Sequence, residues 1–110
     1  MASSVDFVEY VAEQISGAGN ITFKKMFGEY CIYCGGKPIG LICDNQFYVK
    51  KTNIGAELLP DAAEARPYNG AKPHFVIDNL EDREFLAEFI LKTCNELPMP
   101  KPKKRKDPDF

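Results

Sequence analysis

ITFKKMFGEYCIYCGGKPIGLICDNQFYVKK, from Ile21 to Lys51, holds three runs rich in β-branched and aromatic residues, separated by Gly35-Gly36 and Asp44-Asn45. Both dipeptides suit the positive-φ positions of two-residue hairpin turns, so the stretch reads as an antiparallel meander. With the turns centred there, Cys34 pairs with Lys37, Ile32 with Ile39 and Tyr30 with Leu41, then Cys43 with Gln46 and Leu41 with Tyr48. Side chains alternate across a strand. The predicted core face is therefore Tyr30, Ile32, Ile39, Leu41 and Tyr48. The opposite face carries Cys31, Tyr33, Ile42, Phe47 and Val49, an apolar surface that needs a cover. Two covers are weighed: other segments of the same chain, as in the usual layering of small domains, or a partner protein seated on Tyr33, Ile42, Phe47 and Val49. Met26-Phe27-Gly28-Glu29-Tyr30 interrupts the alternation, and Gly28 marks a bulge or a tight bend.

Outward from the meander, Phe7, Val8, Val11 and Ile15 share one face of a helix predicted over residues 4–16. Ser3 or Ser4 serves as its cap and Gly17 as its left-handed terminator. On the C-terminal side, Thr52-Asn53 caps a short helix through Leu59, ended by Pro60. Residues 61–70 form a loop with a turn at Pro67-Tyr68-Asn69-Gly70, and His74 to Asp78 form a further strand behind Pro73. Asn79, with Asp82 at the capping-box position, opens the last helix. Its inward stripe is Phe85, Leu86, Phe89, Ile90, Thr93 and Leu97, and Glu88 and Lys92 are placed for an i, i+4 ion pair. The fold class is α+β: two layers, an antiparallel meander packed by N- and C-terminal helices.

The 110 residues, 45% hydrophobic, suffice for one domain with one core. No apolar run approaches the roughly 20 residues of a membrane span, and Met1 to Asp6 lack the features of a secretory signal, so a cytosolic protein with no membrane partner is expected. In that compartment Cys31, Cys34, Cys43 and Cys94 are expected as thiols. The net charge of −2 is unevenly divided: nine Lys and Arg face fourteen Asp and Glu through Leu97, whereas residues 98–110 hold five against two. Residues 1–97 thus read as an acidic domain and 98–110 as a basic, Pro/Lys-rich tail that cannot bury a core and is expected to be disordered.

Few residue patterns carry chemistry. Cys31-Ile-Tyr-Cys34 is half of a zinc knuckle, but strand alternation sends the two thiols to opposite faces and no second close pair completes a tetrahedral set. It precedes a glycine turn rather than a helix, which disfavours redox chemistry of the thioredoxin kind. His74 is the single imidazole and reads as structural or exposed rather than catalytic. No serine sits in a nucleophile elbow and no glycine pattern matches a phosphate-binding loop. The expectation is no catalytic residue, no cofactor, no metal and no small-molecule substrate. Lys101, Lys103, Lys104, Arg105 and Lys106 read first as a solvated, solubilising tail; the alternative, in which Lys24, Lys25, Lys50 and Lys51 join them, is weak, non-specific contact to nucleic acid by displacing counterions.

Met26-Phe27-Gly28-Glu29-Tyr30, the glycine turn with Lys37, the run Phe47-Tyr48-Val49-Lys50 and the final strand and helix resemble the N-terminal domain of the TfoX/Sxy proteins, bacterial regulators of competence for DNA uptake. The likeness covers nearly all of residues 5–97. It implies a domain similar in architecture to type III secretion chaperones. The order it implies is a helix, a meander, a short helix, a strand and a closing helix. It also implies a regulatory, non-enzymatic role, as in those regulators of DNA transformation, with no cofactor and no established catalytic residue to carry over. Met26, Phe27, Gly28 and Tyr30 would be structural, the glycine for the bend and the others for the core beneath it. Full-length members carry a further helical domain where this chain has its basic tail. The expected partner is another protein or a second copy of the chain, with nucleic acid as the alternative.

Overall fold

A computed structural model describes residues 4–26 and 29–97. It is an α+β fold: a six-stranded, wholly antiparallel sheet with helices at both ends of the chain. Helix α1 (Val5–Gln14) is followed by a 3-10 turn (Ser16–Ala18), then β1 (Ile21–Met26), β2 (Glu29–Cys34), β3 (Lys37–Cys43) and β4 (Gln46–Lys50). Next come α2 (Asn53–Leu58), β5 (Glu64–Ala65), β6 (His74–Ile77) and α3 (Arg83–Glu96). The strand order is β1-β2-β3-β4-β6-β5.

Local chemistry sets the boundaries. Ser4 Oγ accepts from the Phe7 N–H, Thr52 Oγ1 from Gly55 and Asp82 Oδ1 from Phe85, so each helix begins on a side-chain cap. Asp82, rather than Asn79, caps α3; Asn79 Oδ1 instead accepts from the Glu81 N–H in the loop before it. Gly17 is not the left-handed terminator of α1. It lies inside the 3-10 turn, where a Cβ would stand 3.0 Å from that of Ala87, so its smallness lets this turn press on α3. Gly35 and Gly36 (φ 59 and 86°) and Asp44 and Asn45 (φ 52 and 56°) form the two hairpin turns. The first of the three runs is divided: Met26 pairs with Glu29, so Ile21 to Cys34 contributes two antiparallel strands. Phe27 and Gly28, on which the expected bend and part of the core were placed, lie outside the described residues, as do residues 98–110.

The meander differs from its predicted register at one point. Cys34 pairs with Lys37, but Ile32 pairs with Gly40 and Tyr30 with Ile42, because Ile39 is an extra residue bulged out of β3. A one-residue slip exchanges the faces of everything beyond it. Ile42, Phe47 and Val49, placed on a surface for a partner, are instead fully buried together with Ile32, Ile39, Phe75 and Ile77. Val8 and Val11 of α1, Ile15 and Leu86, Phe89 and Ile90 of α3 close over them. The chain's own helices thus cover that face, and the core is one layer between helices and sheet. Leu41 and Tyr48, expected in the core, stand on the opposite face.

Side-chain hydrogen bonds tie α3 to the sheet and to α2. Lys37 Nζ donates to the carbonyls of Cys94 and Leu97, both at 2.9 Å, and the Glu96 carboxylate accepts from the N–H groups of Asn53 (2.8 Å) and Ile54 (2.9 Å) at the start of α2. One end of α3 therefore receives a cation and the start of α2 an anion, each of the sign that helix termini favour. Glu88 and Lys92 form the expected pair, at 2.7 Å.

Candidate functional site

The helices leave one side of the sheet uncovered. By register, that side carries Thr22, Lys24 and Met26 of β1, Cys31 and Tyr33 of β2, Leu41 and Cys43 of β3, Tyr48 and Lys50 of β4, and His74 and Val76 of β6. Toward the middle strands it is tightly packed. Cys31, Cys43, Tyr48 and His74 are buried, and Tyr33, Leu41 and Val76 half-buried. Packing loosens toward β1. Every residue of that strand after Ile21 is exposed, on both faces, including Phe23 at 36% and Met26 at 41%, so Met26, expected in the core beneath the bend, stands at the surface because it lies on the edge strand.

Near the β1 end the uncovered side is indented by a largely apolar groove of about 300 Å³, lined by Met26, Glu29, Tyr30, Leu41, Cys43 and Tyr68. Tyr68, in the loop before β6, is 57% exposed. On the other face of the strand, Phe23 meets Tyr30 edge-on at 5.9 Å between ring centres, a favoured aromatic geometry. β1 pairs through Ile21 to Met26 with β2 on one edge, and among the described residues no element pairs with its other edge. Its remaining side chains include Lys24 and Lys25, which consecutive positions send to opposite faces.

The other sequence-nominated residues are dispersed. Cys31 and Cys34 lie on opposite faces of β2, Cys34 under the helices, where Cys94 Sγ donates to the Cys34 carbonyl at 3.2 Å. Burial raises the Cys31 pKa, with Tyr33, Lys50 and Lys24 partly offsetting it. Burial and the neighbouring Cys94 push Cys34 up to about 11, and burial with Glu29 and Asp44 pushes Cys43 up to about 11. Such thiols are poor nucleophiles. Tyr33, hydrogen-bonded to Cys31, has its phenol pKa raised chiefly by that bond. His74 Nδ1 lies 2.7 Å from the Lys72 carbonyl, to which it donates as N–H. Lys51 pairs with Glu64 at 2.9 Å, away from Lys24 and Lys25. Among the described residues no three His, Cys, Asp or Glu side chains gather as a metal site. Lys101, Lys103, Lys104, Arg105 and Lys106 lie outside the described residues.

A second cavity, of about 480 Å³, opens between the end of α2, the end of β6 and the start of α3. Apolar Leu58, Leu59, Phe85 and Leu86 line it beside Asp61, Asp78 and Asp82, the last committed to capping α3.

Residues 13–97 match the family model of the TfoX N-terminal domain. The chain belongs to that family. The TfoX N-terminal match takes in the whole sheet, the uncovered side and α3. The chain is also similar to a protein of Spirochaeta aurantia described as an uncharacterized 12.7 kDa protein in the trpE 5' region. The two are 33% identical over 107 residues, spanning 96% of this chain and 93% of that protein. Among the described residues no helix is long and apolar enough to cross a membrane.

The exposed edge was legible only in part. Lysines interleaved with Phe23 and Met26 are visible in the sequence, but that β1 ends the sheet depends on where β6 and β5 insert. That insertion joins residues 47–50 to 74–77, a long-range pairing without a local signal.

Proposed function

We propose that this TfoX N-terminal domain is a non-enzymatic, regulatory interaction module that engages another protein along β1 and the groove beside it. The observation that carries this reading is the exposure of β1 on both faces and along one edge, next to an apolar groove. An open strand edge offers main-chain donors and acceptors to an extended segment, and flanking apolar side chains supply anchor points. The non-enzymatic part is supported by how the ionisable groups are used. His74 is tied to a main-chain carbonyl, Asp82 caps a helix, and the thiols of Cys34 and Cys43 hold their protons to about pH 11. The regulatory part is supported by family membership. The contact surface is thus moved from Ile42, Phe47 and Val49 to Phe23, Lys24, Lys25 and Met26, with Tyr33 at its margin.

The test is photocrosslinking of the full chain in its own cells, with Phe23→p-benzoylphenylalanine against Glu57→p-benzoylphenylalanine on the exposed face of α2. The expected result is a discrete adduct from position 23 alone, its partner identified by mass spectrometry and the contact rebuilt from the two purified proteins. No adduct at position 23, or equal adducts from both positions, would overturn the reading.

A further inference from the structure

We infer that the outer edge of β1 receives an extended acidic segment of a partner protein, two consecutive carboxylates lying over Lys24 and Lys25 and apolar residues on either side lying over Phe23 and Met26. This rests on the reading of β1 as a contact surface and adds the chemistry of what binds there.

The argument begins from the pleat. Lys24 and Lys25 are adjacent, so their ammonium groups stand on opposite faces of the sheet, Lys24 with Met26 on the uncovered side and Lys25 with Phe23 on the helix side. A nucleic-acid backbone presents its phosphates along one continuous track and matches charges rooted on the two faces of a strand less well. A second β-strand does so by construction, because its own consecutive side chains alternate with the same period. The charge complement of Phe23-Lys24-Lys25-Met26 is apolar-acid-acid-apolar. That pattern reads the same in either chain direction, so it holds whether the incoming strand runs parallel or antiparallel.

Charge also decides against a second copy. Pairing β1 with itself places four lysines on one two-stranded ribbon, and like charges on directly opposed or diagonal positions destabilise a strand pair. Edge lysines are a common guard against such self-pairing. Here the guard leaves a selective edge, since Phe23 and Met26 remain exposed beside it and the adjoining groove is largely apolar, its one carboxylate, Glu29, standing opposite Met26 rather than opposite either lysine. Neither Lys24 nor Lys25 is drawn into an ion pair among the described residues. The sheet's opposite edge, β5, is two residues long and too short to serve the same purpose.

The experiment uses the full chain, isotopically labelled, and the acetylated, amidated peptide Thr-Val-Glu-Glu-Val-Thr. Controls are its Thr-Val-Lys-Lys-Val-Thr counterpart and two N-methylated forms, each blocking the amides along one of the peptide's two edges. The expected result is that the acidic peptide shifts the amide resonances of residues 21–26 and binds about tenfold more tightly than the lysine peptide, the equivalent of two exposed ion pairs. One N-methylated form retains binding and the other loses it. The double variant Lys24→Glu, Lys25→Glu, altered only at exposed positions, reverses the preference to the lysine peptide. Equal binding of the acidic and lysine peptides, equal binding of the two N-methylated forms, or shifts confined to residues 98–110 would each overturn the proposal. So would a DNA duplex that shifts the β1 amides where the peptide does not, or dimerisation of the free chain through β1. Should the acidic peptide fail while position 23 still crosslinks to a protein, the acidic chemistry is wrong and the contact surface stands.

Discussion

Lys37, just after the first hairpin turn, reaches the carbonyl of Leu97 at 2.9 Å and closes the end of α3 with its ammonium group. The same nitrogen donates to Cys94 at 2.9 Å, so two carbonyls left open by the end of the helix are satisfied by one cation. The contact joins residues 60 apart in sequence and fixes where α3 lies along the sheet.

Lys37→Met retains most of the apolar stem and removes both charge-assisted bonds. A loss of about 1–2 kcal/mol is expected from two helix-terminal carbonyls deprived of their cation. Urea unfolding followed by circular dichroism measures it. Lys37→Arg should recover part of the loss, whereas Met and wild type unfolding at the same urea concentration would show the contact to be idle.

How much of this architecture the sequence disclosed depends on the range of the signal. Gly35-Gly36 and Asp44-Asn45 are turn residues by their own conformational preference, and both turns form where they stand. Ser4 and Thr52 cap their helices for equally local reasons. The faces of the meander were misassigned because a single residue, Ile39, is bulged. The signal was present in its flanks, since Pro38 and Gly40 are both disfavoured inside a regular strand, but which of three residues is extra is settled by packing against β4. The site suffered most. Ile42, Phe47 and Val49 changed from surface to core through that one slip, while β1 became an edge through the distant pairing of β4 with β6.

Gly40 is where the bulge leaves no room. A Cβ there would collide with the carbonyl oxygen of Tyr48 and lie 3.2 Å from the Val49 Cα, so the backbone of β3 or β4 must move to admit it. Gly40→Ala is expected to cost roughly 2–4 kcal/mol, since main chain rather than a flexible side chain has to yield. Gly36→Ala meets open space and suffers only from its φ of 86°, for about 1–2 kcal/mol. Thermal unfolding of the two variants side by side checks the ranking, and a Gly40→Ala protein as stable as Gly36→Ala would remove the steric account of the bulge.

Thr93 faces the core of α3 with its hydroxyl oxygen fully buried, and no hydrogen-bond partner stands beside it among the described residues. A buried hydroxyl left unsatisfied costs about 1–3 kcal/mol, and Val offers the same branched shape without the polar atom. Thr93→Val is expected to raise the unfolding free energy by about 1 kcal/mol. Thr93→Ser, which keeps the hydroxyl and opens a methyl-sized void, should lower it. A destabilised valine variant would mean that the hydroxyl is satisfied in solution.

The thiol of Cys43 makes stability depend on alkaline pH. In an unfolded chain a cysteine gives up its proton near pH ~8.5, whereas in the folded protein burial, Glu29 and Asp44 hold the proton to about 11. Between these values the unfolded state binds fewer protons than the native one, so unfolding stability falls as pH rises. The contribution is fully present below the unfolded pKa and is lost through the window up to about 11, and Cys34, also raised to about 11, adds in the same direction. Unfolding free energies measured at intervals from pH 7.5 to pH 10.5 should therefore decline, and Cys43→Ser should decline less steeply because one of the three thiols with a raised pKa is gone. The same argument requires Cys43 to react with iodoacetamide at pH 8 far more slowly in the folded protein than in urea, since the thiolate is the reacting species. Parallel pH slopes for Cys43→Ser and wild type, with equal alkylation rates folded and unfolded, would place the thiol in water instead of buried beside Glu29 and Asp44.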